Sequence, residues 1–192
     1  MVATVTQLHS PAQEIERLQS LFAKQKAAFR HTPMPTAKAR IEQLNKLKAA
    51  VIRHQDSIAS AVNEDFSCRA KDETLIAEIM ITVQSLNYMI KNVRKWMRPS
   101  RRHVSALFAP SFNQVVYQPL GVVGIMVPWN YPIQLAIVPL ATAIASGNRA
   151  MIKMSEFTPA ANAVIKDLLA EVFDEEHVAV IEGEVEVSTV FS

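Results

Sequence analysis

An α/β fold is expected for this chain: a helical N-terminal layer, a short β-ribbon, then the first βαβαβ part of a doubly wound parallel sheet, incomplete at the C-terminus. Three observations lead there. Glycine is absent from Ser10 to Met97, where apolar residues recur at three- and four-residue spacings. From Ser105 to Asn148 there is no Asp, Glu, Lys or Arg. From Leu120 onward, short apolar runs alternate with amphipathic ones, the order that joins parallel strands through helices. The composition divides accordingly into a helical segment (1–102), a ribbon (103–118) and a partial sheet domain (119–192).

The first helix is expected over Ala12 to Arg30, with Ile15, Leu18, Leu21 and Phe22 on one stripe, and is broken by the prolines at Pro33 and Pro35. Thr36 can cap a second, which carries Ile41, Leu44, Leu47, Val51, Ile58 and Val62 and ends before Asp65. A third runs from Lys71 to Met97 through Leu75, Ile76, Ile79, Met80, Val83, Leu86 and Ile90, stopping at Arg98-Pro99. Together they read as one antiparallel layer.

Composition narrows the function. The chain has 192 residues, 49% of them hydrophobic, which suits a folded core and not a disordered segment. A formal charge of +2 is too small to make the whole chain a nucleic-acid surface. The single cysteine, Cys68, excludes an internal disulfide and a cysteine-based zinc site. No basic segment leads into an apolar run at the N-terminus, so a cytoplasmic protein is expected.

The uncharged stretch is too often interrupted to span a membrane, since Pro110, Pro119, Pro128, Pro132 and Pro139 leave no apolar run near the ~20 residues required. Its first part, Ser105 to Gln118, reads as two short strands around Pro110-Ser111. Leu120 to Val127 reads as a strand buried on both faces, and Ile133 to Ser146 as a helix closed by Gly147-Asn148. A second strand follows at Arg149 to Met154. A helix from Thr158-Pro159 to Phe173 comes next, with Thr158 as N-cap, and then a third strand at His177 to Ile181. A further helix is expected to begin within Glu186 to Ser192.

In doubly wound folds ligands sit beyond the carboxyl ends of the strands. The first such turn, Pro128-Trp129-Asn130-Tyr131-Pro132, lacks the glycines of a pyrophosphate-cradling loop. It does hold a neutral amide between two prolines, and an amide so fixed can donate to a developing oxyanion without adding charge. The same residues equally fit a plain turn whose Asn satisfies backbone groups. After the second strand come Lys153 and Glu156, near where dinucleotide folds place an acidic ribose partner; a solvated ion pair reads the same way.

The segment PLGVVGIMVPWNYPIQLAIVPLATAIASGN followed by MIKMSEFTP closely resembles the aldehyde dehydrogenase superfamily, nearest the branch with fatty, aromatic and coniferyl aldehyde dehydrogenases. The likeness runs over essentially the whole chain. It implies that Asn130 helps form the oxyanion hole and that Lys153 and Glu156 hold the adenosine ribose of NAD, with NADP as the alternative. It further implies that the backbone at Val127 and Pro128, beside Trp129, lines the cofactor cleft, and that Gly183 lies near the adenine. Met154 stands where the family usually has proline, which is expected to loosen that turn. The implied enzyme oxidises an aldehyde, coniferyl or another aromatic one, through a cysteine thiohemiacetal, as a homodimer or homotetramer. The family's catalytic cysteine and glutamate fall downstream of Ser192, so this polypeptide alone is expected to be inactive.

Two other readings stand beside this one. Lys91, Arg94, Lys95, Arg98, Arg101 and Arg102 would suit a binding module for nucleic acid or an acidic partner, although such a run is ordinarily a solvated helix end. The uncharged residues 105–148 would suit a non-catalytic interaction or oligomer surface.

Overall fold

The computed structural model describes residues 10–192. The chain runs through α1 (Pro11–His31), α2 (Ala37–Arg53), α3 (Gln55–Phe66) and α4 (Lys71–Thr74), which continues through a π turn (Leu75–Met80) into α5 (Ile81–Trp96). The strand β1 (Ser100–Arg102), a 3-10 turn (Ala106–Phe108) and β2 (Asn113–Val115) follow. The remainder is β3 (Val122–Met126), α6 (Pro132–Ala145), β4 (Arg149–Lys153), α7 (Pro159–Val172), β5 (Val178–Ile181) and α8 (Val185–Phe191).

β3, β4 and β5 pair in parallel in that order, as expected for βαβαβ. Side chains alternate across the sheet. Ile125, Ala150, Ile152, Val178 and Val180 face the larger core with α2, α3, α5, α6 and α7. Met151, Ala179 and Ile181 face a smaller one made with Leu18, Leu21 and Val187 of α1 and α8. The N-terminal helices therefore do not form the single layer expected. α1 crosses to the opposite face of the sheet, because its buried stripe of Glu14, Leu18, Leu21 and Gln25 matches that smaller core.

Other expectations are corrected in detail. The second helix divides at His54, which takes ψ of 4°, and Arg53 and His54 both bond Glu171 of α7. No proline or glycine marks this break. The third helix is over-wide in its first turns, where Thr74, Glu78, Thr82 and Leu86 are buried every four residues. An α-helix turns every 3.6 residues, and the π turn keeps these positions on one face. In the ribbon, the first strand lies before Ser105, pairing Ser100 with Val115 and Arg102 with Asn113. Ser105 accepts from the Leu107 N–H and caps the 3-10 turn, which takes the residues expected to be a strand. Arg101 and Arg102 are thus ribbon residues, not a helix end. β3 is not buried on both faces: Met126 is 53% exposed, and β3 is an outer strand among the described residues.

The uncharged stretch is covered only in part. α6 is buried on all but the side carrying Pro139 and Thr142, whereas Leu107, Phe108, Phe112, Tyr117 and Leu120 stand in solvent. α6 ends as the sequence indicates, with Gly147 at φ +86° and Asn148 N–H returning to Ala143 O at 2.9 Å. The buried guanidinium of Arg40 donates from Nη1 to Ala145 O at that end, 3.0 Å away. Among the described residues no helix is long and apolar enough to cross a membrane.

Candidate functional site at the strand ends

Register decides which residues meet. Met126 pairs with Lys153 and Lys153 with Ile181, so all three strands end at one edge. The segments leaving that edge are Val127 to Tyr131, Met154 to Phe157, and Glu182 to Glu184. The structure thereby gathers Val127, Pro128, Trp129, Asn130, Lys153, Glu156 and Gly183 on one rim, although they span 57 positions of sequence (183 − 126).

Val127 extends the β3–β4 ladder, its N–H donating to Lys153 O at 2.9 Å, and is buried. Pro128, Trp129 and Asn130 then stand out of the sheet; Trp129 is 53% exposed and packs its ring 6.3 Å from that of Phe66. Asn130 carries its amide on the exposed tip, and its backbone carbonyl accepts from Arg69 Nη2 at 2.9 Å.

Lys153 is buried, on the sheet face that holds Met151 and Ile181. Its Nζ donates to Met154 O at 2.5 Å and lies 3.7 Å from Glu156 Oε2. Burial lowers the lysine pKa below its ordinary value, while Glu156 and Glu182 act the other way. The turn between them is tied, not loosened, at Met154. Its side chain is buried in the core and its N–H donates to Ile181 O at 3.3 Å, a bond proline cannot make. Asn162 holds the loop from below, donating to Ser155 O at 2.6 Å. Gly183 has φ of +134°, and any Cβ there would come within 2.5 Å of Val187, so glycine is required where the chain turns into α8.

A family model described as the aldehyde dehydrogenase family matches residues 4–191. The chain belongs to the aldehyde dehydrogenase family. It is 51% identical, over its full length, to a probable coniferyl aldehyde dehydrogenase of Pseudomonas aeruginosa, and 39% identical over 92% of its length to a coniferyl aldehyde dehydrogenase of a Pseudomonas species. It spans 40% and 36% of those two relatives. Among solved structures it is similar to a substrate-bound AldH of Staphylococcus aureus, with TM-score 0.85 and 35% identity over 89% of this chain and 37% of that one.

What sequence reasoning missed in this aldehyde dehydrogenase segment is how the rim is held. The N-terminus of α6 receives a carboxylate: fully buried Glu78 accepts at Oε2 from the N–H groups of Ile133 (2.8 Å) and Gln134 (3.1 Å). Burial raises the Glu78 pKa, opposed by those N–H groups and by Arg69, whose Nη1 lies 3.3 Å from Glu78 Oε1. At α7 the expected cap is replaced. Thr158 Oγ1 donates to Asn162 Oδ1, and the N–H groups of Ala160 and Ala161 are instead taken by Asp65, at 2.9 and 2.8 Å. The N-terminus of α6, where a doubly wound fold would seat a pyrophosphate, and that of α7 are therefore both filled by side chains of the N-terminal helices. The missing glycine loop was the one available signal. Cys68 is free and exposed, one residue before Arg69.

Proposed function

We propose that this chain supplies the adenosine-ribose site and one oxyanion donor of an NAD-dependent aldehyde dehydrogenase that converts an aromatic aldehyde, coniferyl aldehyde or a close analogue, to its acid. The observation that carries the reading is the 3.7 Å pair of Lys153 and Glu156 on the same strand edge as the Asn130 turn.

The residues fit the cofactor. A buried ammonium beside a partly exposed carboxylate offers a donor and an acceptor to vicinal hydroxyls. Gly183, at φ +134°, lets the chain turn tightly from β5 into α8 beside this edge, and Val127, Pro128 and Trp129 form the wall on the β3 side. Because the N-termini of α6 and α7 already hold Glu78 and Asp65, what the described residues contribute to cofactor binding is the ribose contacts. NAD is favoured over NADP: the Lys153 charge is met by Glu156 and Glu182, and a 2′-phosphate would face their carboxylates. When bound, NAD supplies the hydride acceptor.

In the chemical step a cysteine thiolate of the enzyme attacks the aldehyde carbon, and the Asn130 amide donates to the alkoxide that forms. An uncharged donor leaves the thiolate unpaired with any cation. The attacked carbon would give up its hydride to the bound cofactor as the alkoxide collapses to a thioester. A glutamate then activates the water that hydrolyses the thioester to the acid and frees the thiolate. The family resemblance puts both the cysteine and the glutamate outside the segments described, whose own contribution is the oxyanion donor and the ribose site. The exposed ribbon residues Leu107, Phe112 and Tyr117 support a homodimer or homotetramer, and one free cysteine suits the reducing cytoplasm.

The test is steady-state oxidation of coniferyl aldehyde by the enzyme in the form its source produces. Asn130→Ala is expected to lower kcat about 100-fold with little change in KM for NAD. Glu156→Gln is expected to raise KM for NAD at least roughly tenfold and to narrow the preference over NADP. Unaltered turnover in Asn130→Ala would refute the oxyanion role.

A further inference from the structure

We propose that Arg69 is a positioning residue that fixes the backbone at Asn130, and with it the direction in which the Asn130 side-chain amide is presented, with Glu78 as the group that holds Arg69 in place. The inference rests on the oxyanion reading of Asn130 given above.

The turn leaves little else to fix it. Pro128 and Pro132 set their own φ angles, and Pro132 further restricts Tyr131, so the freedom of the turn is concentrated at Trp129 and Asn130. The carbonyl of Asn130 marks the orientation of the peptide that follows it, and Arg69 Nη2 binds that oxygen at 2.9 Å. The guanidinium carbon lies 4.0 Å from the centre of the Phe66 ring and 5.0 Å from that of Tyr131, so the planar group is sandwiched beside the turn. Its other edge meets Glu78 at 3.3 Å and Glu73 at 3.7 Å. The Arg69 side chain is only 12% exposed and that of Glu78 is wholly buried, whereas that of Glu73 is half-exposed and holds more weakly.

Glu78 also binds the first N–H groups of α6, immediately after the turn. One carboxylate thus ties the arginine that grips the turn at Asn130 to the helix that the turn enters. The π turn places Glu78 for this task, since it brings a residue four beyond Thr74 onto the face toward α6. Shifting a catalytic donor by about 1 Å is enough to cost up to about 100-fold in rate.

The test compares Arg69→Met, Arg69→Lys and Asn130→Ala, singly and combined, in the active enzyme. Arg69→Met leaves Glu78 buried without its cation, so Arg69→Met is also made with Glu78→Gln, which keeps an oxygen for the α6 N–H groups and removes the stranded charge. Expected are a kcat lower by roughly tenfold or more with KM for NAD unchanged, partial recovery in Arg69→Lys, and no further loss when Arg69→Met is added to Asn130→Ala. A crystal structure of the Arg69→Met, Glu78→Gln protein should show the Asn130 carbonyl rotated from its present place. An additive loss on Asn130→Ala, or an unmoved carbonyl with normal kcat, overturns the proposal. If Asn130→Ala itself leaves kcat intact, the oxyanion reading fails, and the crystal structure alone then decides whether Arg69 orients the turn.

Discussion

Asp65 offers a quantitative test of how the rim is built. Its carboxylate takes the N–H groups of Ala160 and Ala161 at 2.9 and 2.8 Å, doing from α3 what Thr158 was placed to do locally. Loss of a capping side chain costs about 1 kcal/mol, and a partly buried negative charge at a helix N-terminus adds up to about 1 more. Asp65→Ala should therefore destabilise the protein by about 2 kcal/mol. Asp65→Asn retains one acceptor oxygen without the charge and should cost about 1 kcal/mol. Urea unfolding followed by circular dichroism reads both, as a lower midpoint at unchanged m. Because α7 begins directly after the Lys153–Glu156 loop, Asp65→Ala should also weaken NAD binding in the active enzyme. A loss below about 0.5 kcal/mol for Asp65→Ala, or equal losses for the two variants, would refute the cap reasoning.

Two further outcomes are expected. Burial holds the His177 pKa down at about 4, with Arg149 contributing in the same direction and Asp174 and the Asn148 backbone opposing. The unfolded chain, titrating near 6.5, then binds more protons between those values, so stability should be complete above pH 6.5 and decline by about 2–3 kcal/mol toward pH 4; urea midpoints of the parent and His177→Gln across that window should converge if the histidine is responsible. Gly183→Ala should cost about 2 kcal/mol or more, since φ of +134° and the contact with Val187 both oppose a methyl group; an unchanged melting temperature would show that the turn relaxes freely.

The sheet was legible because its signals are local. LGVVGIMV, RAMIKM and HVAVI are short apolar runs, each separated from the next by a helix with a proline at its start, and the three strands lie where those runs do. Asn130, Lys153 and Glu156 stood out from strand order, since parallel strands deliver their exits to one edge, whereas Val127, Pro128, Trp129 and Gly183 were singled out by the family resemblance. What the sequence hid depends on distant partners. Glu78 sits in an apolar heptad-like run as one more helix-forming residue, and only the packing of α5 on α6 makes it a cap. Asp65 reaches the Ala160 N–H across 95 residues of sequence, and displaces Thr158 as the cap because α3 lies against α7. The break at His54 has no local signal either, because two side chains reaching Glu171 produce it. The crossing of α1 to the opposite face was equally invisible, as its stripe would serve either core.

One helix in this fold has no charge of its own. Every residue of α6 from Pro132 to Ala145 is neutral, yet a buried acid stands at its start and a buried base at its end, both donated by helices made earlier in synthesis. Glu78 and Arg40 are hydrated on the nascent chain, and the arrival of α6 takes them out of water together. A β3–α6–β4 segment moved alone into another chain would leave both of these partners behind. A chimaera inherits its fold only if the recipient's N-terminal helices bring an acid and a base to the same two places.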